Sequence, residues 1–449
     1  MLTALLYLCL YIYGLGRALA GRPVWGVAIY FMCFYAHAPT QWWGQNLPSI
    51  RWSLIASIVT MVALFIHPPK SGFKFFAFRE NRWLTAFFLY VLAQYPFVIS
   101  TVWHTDYVFL LFKFILFIFL FHNCVRTVKD FRMIIIANAL GGAFLAYQGF
   151  AHHNGGRLEG IGTPGMDDAN LMGQHLVLMI FILGYAMLEP FRRSHILIAI
   201  CVCLVLMTLF LTESRGALLS LAAAGVLAVF FIPRGSKKKL AGFGVLGVVA
   251  SALLMGPQII ERFQGVEKNS MGEVSDKSAR SRVVIIESQI EMWRDSPIIG
   301  HGHRGTLQLS TQYVPQEYLS NSGLRASHNL VMTLLVDHGV IGAILYFGAF
   351  ISCGLRIFST NREFVKNDSQ YKTPDEAFLR AMIVGFSLAL FSYFLGGLTS
   401  NNKKLEGDVW VFAFLPVAVH LLHQQKRRAV SLSLRRKKLS SKDASDEQH

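Results

Sequence analysis

Charge is scarce in this 449-residue chain: Asp, Glu, Lys and Arg together make up 15% of it, against roughly a quarter in an ordinary soluble domain. With 53% hydrophobic residues, that scarcity excludes a typical soluble enzyme. Cysteine is scarce as well. Six cysteines cannot staple a chain of this length, and none stands in a C-x-x-C pair of the metal-binding kind. Acidic residues are the minority among the charged ones, 26 against 42, which leaves +16. That balance alone would admit nucleic acid as a partner. The basic residues, however, lie between long apolar runs and not on a soluble surface, so no nucleic-acid role is expected. What the chain has in quantity is apolar runs, and they read as a polytopic membrane protein.

A membrane-crossing helix needs about 20 mostly apolar residues. Candidate runs fall near 2–20, 25–43, 51–67, 83–102, 107–123, 133–151, 169–188, 195–212, 214–232, 239–257, 330–352, 379–399 and 408–424. The first and third are short or interrupted, so twelve or thirteen spans are expected. Backbone groups in lipid must pair within their own segment, and these runs are too long for barrel strands, which leaves an all-α bundle. Lys and Arg set the orientation. Arg17 and Arg22; Lys70, Lys74, Arg79 and Arg82; Arg126, Lys129 and Arg132; Arg192 and Arg193; Arg234 and Lys237 to Lys239; Arg356, Arg362, Lys366 and Lys372; and the tail from Lys426 fall in alternate connections. That set reads as cytoplasmic, with the C-terminus among it; Lys403 and Lys404 are mild exceptions on the outer side. Ala18-Leu19-Ala20 imitates a signal-peptidase site, but no positive n-region precedes it and Arg17 intrudes, so a retained first helix is expected. The tail 425–449 has eight basic residues against three acidic ones and no apolar pattern. It reads as a disordered segment drawn to anionic lipid.

The outer connections carry the chemistry. The longest, 258–329, far exceeds an ordinary loop and balances eight basic with eight acidic residues. Within it, after Asp276 and Ser278, the segment 279–295 spaces Val283, Ile286, Ile290 and Trp293 at a helical period; Pro297 and Gly300 end it. Such an amphipathic helix belongs on the bilayer surface or on the bundle. Arg280 and Arg282 open it. Arg215 begins the ninth span in TESRG, behind Ser214. Arg157 stands in HHNGGRLEG, ahead of Asp167, Asp168 and Asn170. One interfacial arginine merely snorkels. Three outer connections offering arginine beside glycine suit a phosphate-bearing lipid head group.

His328, in LRASHNLVMTLLVDHG, precedes the eleventh span between the capping types Ser327 and Asn329. The positive end of a helix dipole favours neutral imidazole there, which is what a general base requires; an interfacial capping histidine fits the position equally well. Asp337 and His338 lie some ten residues deeper, about 15 Å at the helical rise. Ionisable residues at that depth are functional candidates or a paired structural couple. His152, His153, His301 and His303 have no carboxylate or cysteine at ligand spacing, so neither metal nor cofactor is expected.

Together TESRGALLSLAAA, the loop helix ending DSPIIGHGHRG, and SHNLVMTLLVDHGVIGAILYF resemble the bacterial O-antigen ligase and polymerase superfamily. The matching features are Ser214-Arg215-Gly216, the turn Pro297 to Gly302, His328-Asn329, and Gly339 to Gly342. The N-terminal stretch ALAGRPVWGVAIYFMCFYAHAPTQWWG is a softer match. GHGHRG departs from the pattern, since members usually carry small or apolar residues where His301, His303 and Arg304 stand. That departure assigns those three to the acceptor side.

The resemblance implies a GT-C-like membrane fold with N-terminal spans in 1–154, a catalytic core in 155–352, C-terminal spans in 353–424 and a tail in 425–449. It implies an inverting, metal-independent glycosyltransferase of the bacterial inner membrane, with its active site facing the periplasm. The donor would be a glycan on undecaprenyl diphosphate. The acceptor would be a glycan, lipid A core or growing polysaccharide, with membrane lipid as surroundings. On this reading Arg215, Arg282, Arg157 and Arg280 stabilise the leaving diphosphate, His328 is the base, and Asn329, Ser214, Asn170, Asp337 and His338 support them. A polymerase joining repeat units is the alternative within the superfamily. A transporter or lipid-glycan flippase is the alternative of another class, disfavoured because no internal repeat or pair of broken spans is evident.

Overall fold

The computed structural model describes residues 1–69, 74–154, 156–161, 163–166, 168–188, 193–231, 277–320, 323–366, 373–400 and 407–446. Among these it is all helix, with no strand. In chain order the helices are α1 (Leu2–Leu19), α2 (Val24–Tyr35), α3 (Trp52–Ile66), α4 (Arg79–Ala93), α5 (Thr101–Cys124), α6 (Val128–His152) and α7 (Ala169–Ala186). They continue with α8 (Arg193–Leu211), α9 (Arg215–Phe230), α10 (Lys277–Asp295), α11 (Gly305–Tyr313), α12 (Leu330–Lys366), α13 (Pro374–Gly397) and α14 (Gly407–Asp446). Among the described residues seven helices (α1, α5, α6, α7, α8, α12 and α13) are long and apolar enough to cross a membrane; α3 and α9 are shorter apolar helices. The protein is an all-α polytopic membrane bundle.

The apolar runs set where these helices form, and local chemistry sets where they stop. The run expected at 25–43 ends as helix at Tyr35, and short 3-10 turns at Ala38–Thr40 and Gly44–Asn46 follow it. Pro39 and Gly44 are poor continuations of a helix. The run expected at 83–102 is helix only to Ala93, as α4, and a 3-10 turn at Tyr95–Phe97 around Pro96 separates it from α5, which holds the run expected at 107–123. The tail differs from expectation: α14 continues as helix to Asp446. Its Ala, Leu, Lys and Arg are good helix formers, so the absence of an apolar stripe did not stop the helix. The expected span 239–257, the loop portion 258–276, and Lys70, Asp167, Arg192, Arg234, Lys237 to Lys239, Lys372, Lys403 and Lys404 lie outside the described residues.

α7 and α13 form the centre, with 78% and 72% of their apolar windows buried, whereas α1 has only 33%. Close approach needs small residues: a Cβ on Gly385 would stand 2.7 Å from that of Tyr185, and one on Gly396 would overlap the Gln174 carboxamide. The core continues into α14 through Trp410, whose ring meets those of Phe31, Phe34, Tyr35 and His175. Ion pairs tie one end of the bundle. Arg356 on α12 grips the buried carboxylate of Glu80 on α4, and Arg132 on α6 reaches Asp375 on α13 at 2.7 Å.

At the other end α12 is broken. Gly339 adopts φ 62°, ψ −171° inside the helix, which frees carbonyls that must find new donors. The turn after α10 supplies them: His301 N–H donates to Val336 O at 2.9 Å and Gly302 N–H to Asp337 O at 2.7 Å. In return Val340 N–H donates to Pro297 O at 2.9 Å. Gly339 is required on both counts, since a Cβ there would stand 2.2 Å from Ile298 O. The two glycine motifs, far apart in sequence, are therefore halves of one joint.

Candidate active site

Around that joint a cavity of about 320 Å³ opens, walled by Asp168 before α7, His303, Arg304 and Thr306 of the turn into α11, Ser327 and His328 before α12, and Asp337 within it. The His328 turn is held from several sides. Asn329 Oδ1 accepts Met332 N–H at 3.0 Å, an N-cap for α12, and Asn329 Nδ2 donates to Leu398 O at 3.3 Å. Ser327 Oγ accepts Asn329 N–H at 3.1 Å. Gln289, fully buried on α10, donates from Nε2 to Ser327 Oγ at 3.0 Å and to Thr306 Oγ1 at 3.1 Å.

Burial, and after it the guanidinium groups of Arg282 and Arg325, push the His328 imidazole down to about 4. Arg157 adds a smaller push in the same sense, against the pull of Asp168. His328 is thus neutral at physiological pH. The same charges come from two connections, Arg282 and Arg325 from the long one and Arg157 from that before α7.

Arg157 is oriented by two contacts: its Nε donates to Thr212 O at 3.1 Å and its Nη2 to Asn170 Oδ1 at 2.7 Å. Asn170 Oδ1 also accepts Ser214 Oγ–H at 2.9 Å, while Ser214 Oγ caps α9 at Ala217 N–H. Arg215 begins α9 on that cap. Asp168 caps α7 through Asn170 and Leu171 N–H. Glu213 and Arg304, the non-glycine residues with positive φ among those described, at 48° and 63°, stand beside these segments; such backbone is uncommon and concentrates at functional sites.

Not every sequence candidate joins the cavity. Arg280 is exposed on the first turns of α10. His301 Nε2 bonds Met292 O at 2.8 Å and ties the turn to α10. His303 and Arg304, its partners in GHGHRG, do line the cavity; the Arg304 guanidinium lies 3.7 Å over the Trp103 ring. Asp337 is buried and accepts Arg304 N–H at 3.0 Å and Thr306 N–H at 3.4 Å. His338, also buried, has Nδ1 2.8 Å from Gln94 Oε1.

Three residues escaped sequence reasoning. Arg325 stands in the same LRASHN segment as His328, and its charge was the available signal. Its Nη2 lies 3.4 Å from Ser281 Oγ. Gln289 and Gln94 carry no pattern that marks them. On α10, Val283 is exposed and Ile286, Ile290 and Trp293 are half-buried, while Ser281, Ile285, Ser288, Gln289 and Met292 are buried. The helix therefore packs a mixed face of small, polar and apolar side chains on the protein and leaves Arg280, Glu287, Glu291 and Arg294 exposed beside Val283.

A separate apolar groove of about 960 Å³ runs between α4 and α12. It extends from Val331 and Leu335 past Trp83 and Phe347 to Leu355, with Arg79 and Arg82 at its far end. The groove's Val331 and Leu335 alternate along the start of α12 with the cavity's Thr333 and Asp337, on different faces of that helix.

Residues 198–347, α8 to the middle of α12, match the family model described as O-antigen ligase. No curated relative matches the chain. The matched segment holds Arg215, Arg282 and His328 together with both halves of the glycine joint. With the all-α membrane architecture, that match makes residues 198–347 similar to the O-antigen ligase and polymerase superfamily.

Proposed function

We propose that the protein transfers a glycan from undecaprenyl diphosphate to an acceptor hydroxyl, at the periplasmic face of the bacterial inner membrane, with inversion and without a metal in the chemical step. The family match supports a glycan ligase or polymerase. The observation that carries the finer reading is the convergence of Arg282, Arg325, Arg157 and Asp168 on a neutral His328.

A diphosphate departs as a stable anion, so the site needs cations where negative charge develops more than it needs a general acid. Arg282 and Arg157 stand beside His328 for that role, with Arg215 on the neighbouring helix start. The acceptor hydroxyl is a weak nucleophile and gains from a base within hydrogen-bond reach. His328 takes its proton as oxygen attacks the anomeric carbon opposite the departing phosphate, which inverts that centre. Asn329, Ser214 and Asn170 hold the base and the arginines in place, while His303 and Arg304 face the acceptor.

The electrostatics give the reaction an order. Arginine charge depresses His328 in the free protein, and a bound diphosphate neutralises that charge, so the imidazole becomes a better base once the donor is seated. The groove between α4 and α12 is long and apolar enough for a prenyl chain. The test is transfer from a defined undecaprenyl-diphosphate glycan by purified protein in lipid. His328→Ala is expected to lower kcat by roughly 10²–10⁴-fold; wild-type turnover in that variant defeats the assignment. Donor supplied alone separates the two superfamily activities, since lengthening ladders on the carrier indicate a polymerase, and product only with a separate acceptor indicates a ligase.

A further inference from the structure

We propose that His303, Asp337 and His338 form a binding site for a divalent transition-metal ion of the Zn²⁺ class, which clasps the GHG turn to the break in α12. The three residues are 3%, 1% and 0% exposed, and one ligand atom from each lies within 4.8 Å of the others. His303 Nδ1 and Asp337 Oδ2 are already 3.7 Å apart. A tetrahedral ion with bonds near 2.0–2.1 Å needs ligand separations of about 3.3 Å, so side-chain adjustment alone closes the set. Sequence spacing hides it, because the GHG joint brings together residues more than thirty positions apart.

The surroundings prepare the ligands. Gln94 is buried, and its Nε2 donates to Ile299 O at 2.7 Å and Asp337 O at 2.8 Å. Both acceptors are carbonyls, so the amide orientation is fixed and Oε1 can only accept. It lies 2.8 Å from His338 Nδ1, which must therefore carry the ring proton and leave the lone pair on Nε2. A ligating histidine characteristically donates its other N–H in this way. His303 is held by Tyr107, stacked at 4.1 Å between ring centroids, and by its own N–H to His104 Nδ1 at 3.3 Å. The Asp337 carboxylate is oriented by the backbone N–H groups of Arg304 and Thr306, which it accepts. Two imidazoles with one carboxylate select Zn²⁺ and its neighbours over Mg²⁺ or Ca²⁺, which prefer oxygen. Since His303 and Asp337 also line the cavity, an ion has a way in and room for a water at its fourth position.

The site is structural on this reading; the arginines and His328 carry the transfer. Full-length protein, purified in lipid through a tag without histidine, is stripped with chelator, reloaded with Zn²⁺ or Co²⁺, and freed of excess metal. Close to one equivalent per chain is expected, with the visible absorption of low-symmetry Co²⁺. His303→Ala and His338→Ala should lose at least nine-tenths of that metal. Gln94→Leu should weaken affinity about 10–100-fold, and His301→Ala should keep full content. Substoichiometric metal in reloaded wild-type protein overturns the proposal whatever the variants do. Full retention in both histidine variants overturns it as well. No donor or acceptor enters the assay, so the result stands apart from the fate of the proposed transfer.

Discussion

Removing Arg282 tests the coupling between leaving-group stabilisation and the base. After burial, its charge is the largest influence holding His328 near 4. Arg282→Gln should therefore act twice. At pH 7 the imidazole stays mostly neutral in both proteins, so the loss there is that of one preorganised cation, roughly 10²–10³-fold in kcat/KM. At pH 5 wild-type His328 is still about nine-tenths neutral, while the variant's titrates closer to its ordinary 6.5. The variant's deficit should then grow by several-fold between pH 7 and pH 5, with about twentyfold as the bound if the whole depression were relieved. Because the proposed base acts in its neutral form, the loss must appear on the acid side. Initial rates from pH 4.5 to 8 under subsaturating donor read the free protein, and saturating donor reads the complex. For wild type, the acid limb under saturating donor should lie at higher pH, since bound diphosphate offsets the arginines. Parallel pH curves for wild type and Arg282→Gln, or an acid limb that survives in any residual activity of His328→Ala, would refute the reasoning.

Three further outcomes follow from the packing. Gln289→Leu severs the link from α10 to Ser327 and Thr306 and should lower kcat at least tenfold, with less change in donor KM; an unchanged kcat would show that α10 does not position the His328 turn. Gly339→Ala meets both a positive φ and the Ile298 carbonyl, so the unfolding midpoint should drop sharply in lipid nanodiscs, and an unshifted midpoint contradicts the joint. Arg356→Met strands the buried carboxylate of Glu80 and should cost roughly 3–5 kcal/mol. The double variant Glu80→Leu/Arg356→Met should recover much of that loss in the same thermal measurement.

The helices were legible because twenty apolar residues leave the backbone in lipid no other way to pair its polar groups. Even there, Pro39 and Pro96 ended helices sooner than hydropathy suggested, and the basic tail stayed helical without an apolar face. The α10 helix was legible as a helix but its orientation was not. Its buried face runs through Ser281, Ile285, Ser288, Gln289 and Met292, while Val283 is exposed and Ile286, Ile290 and Trp293, which periodicity singled out, are only half-buried.

Site residues divide along the same line. Charge and capping types singled out Arg157, Arg215, Arg282 and His328, since cations are costly near lipid and rare enough to notice. Arg325 was equally visible, in the same segment as His328. Gln94 and Gln289 were not, because a neutral amide reveals nothing until its hydrogen-bond partners are known. The scarcity of charge in the sequence determined by itself that this is a membrane bundle, and which connections deserve attention. Only the tertiary structure decided that the PIIGHG turn fills the break at Gly339, since those hydrogen bonds join chemically identical backbone groups. That joint sets His303 against Asp337 and walls the cavity in which His328 stands.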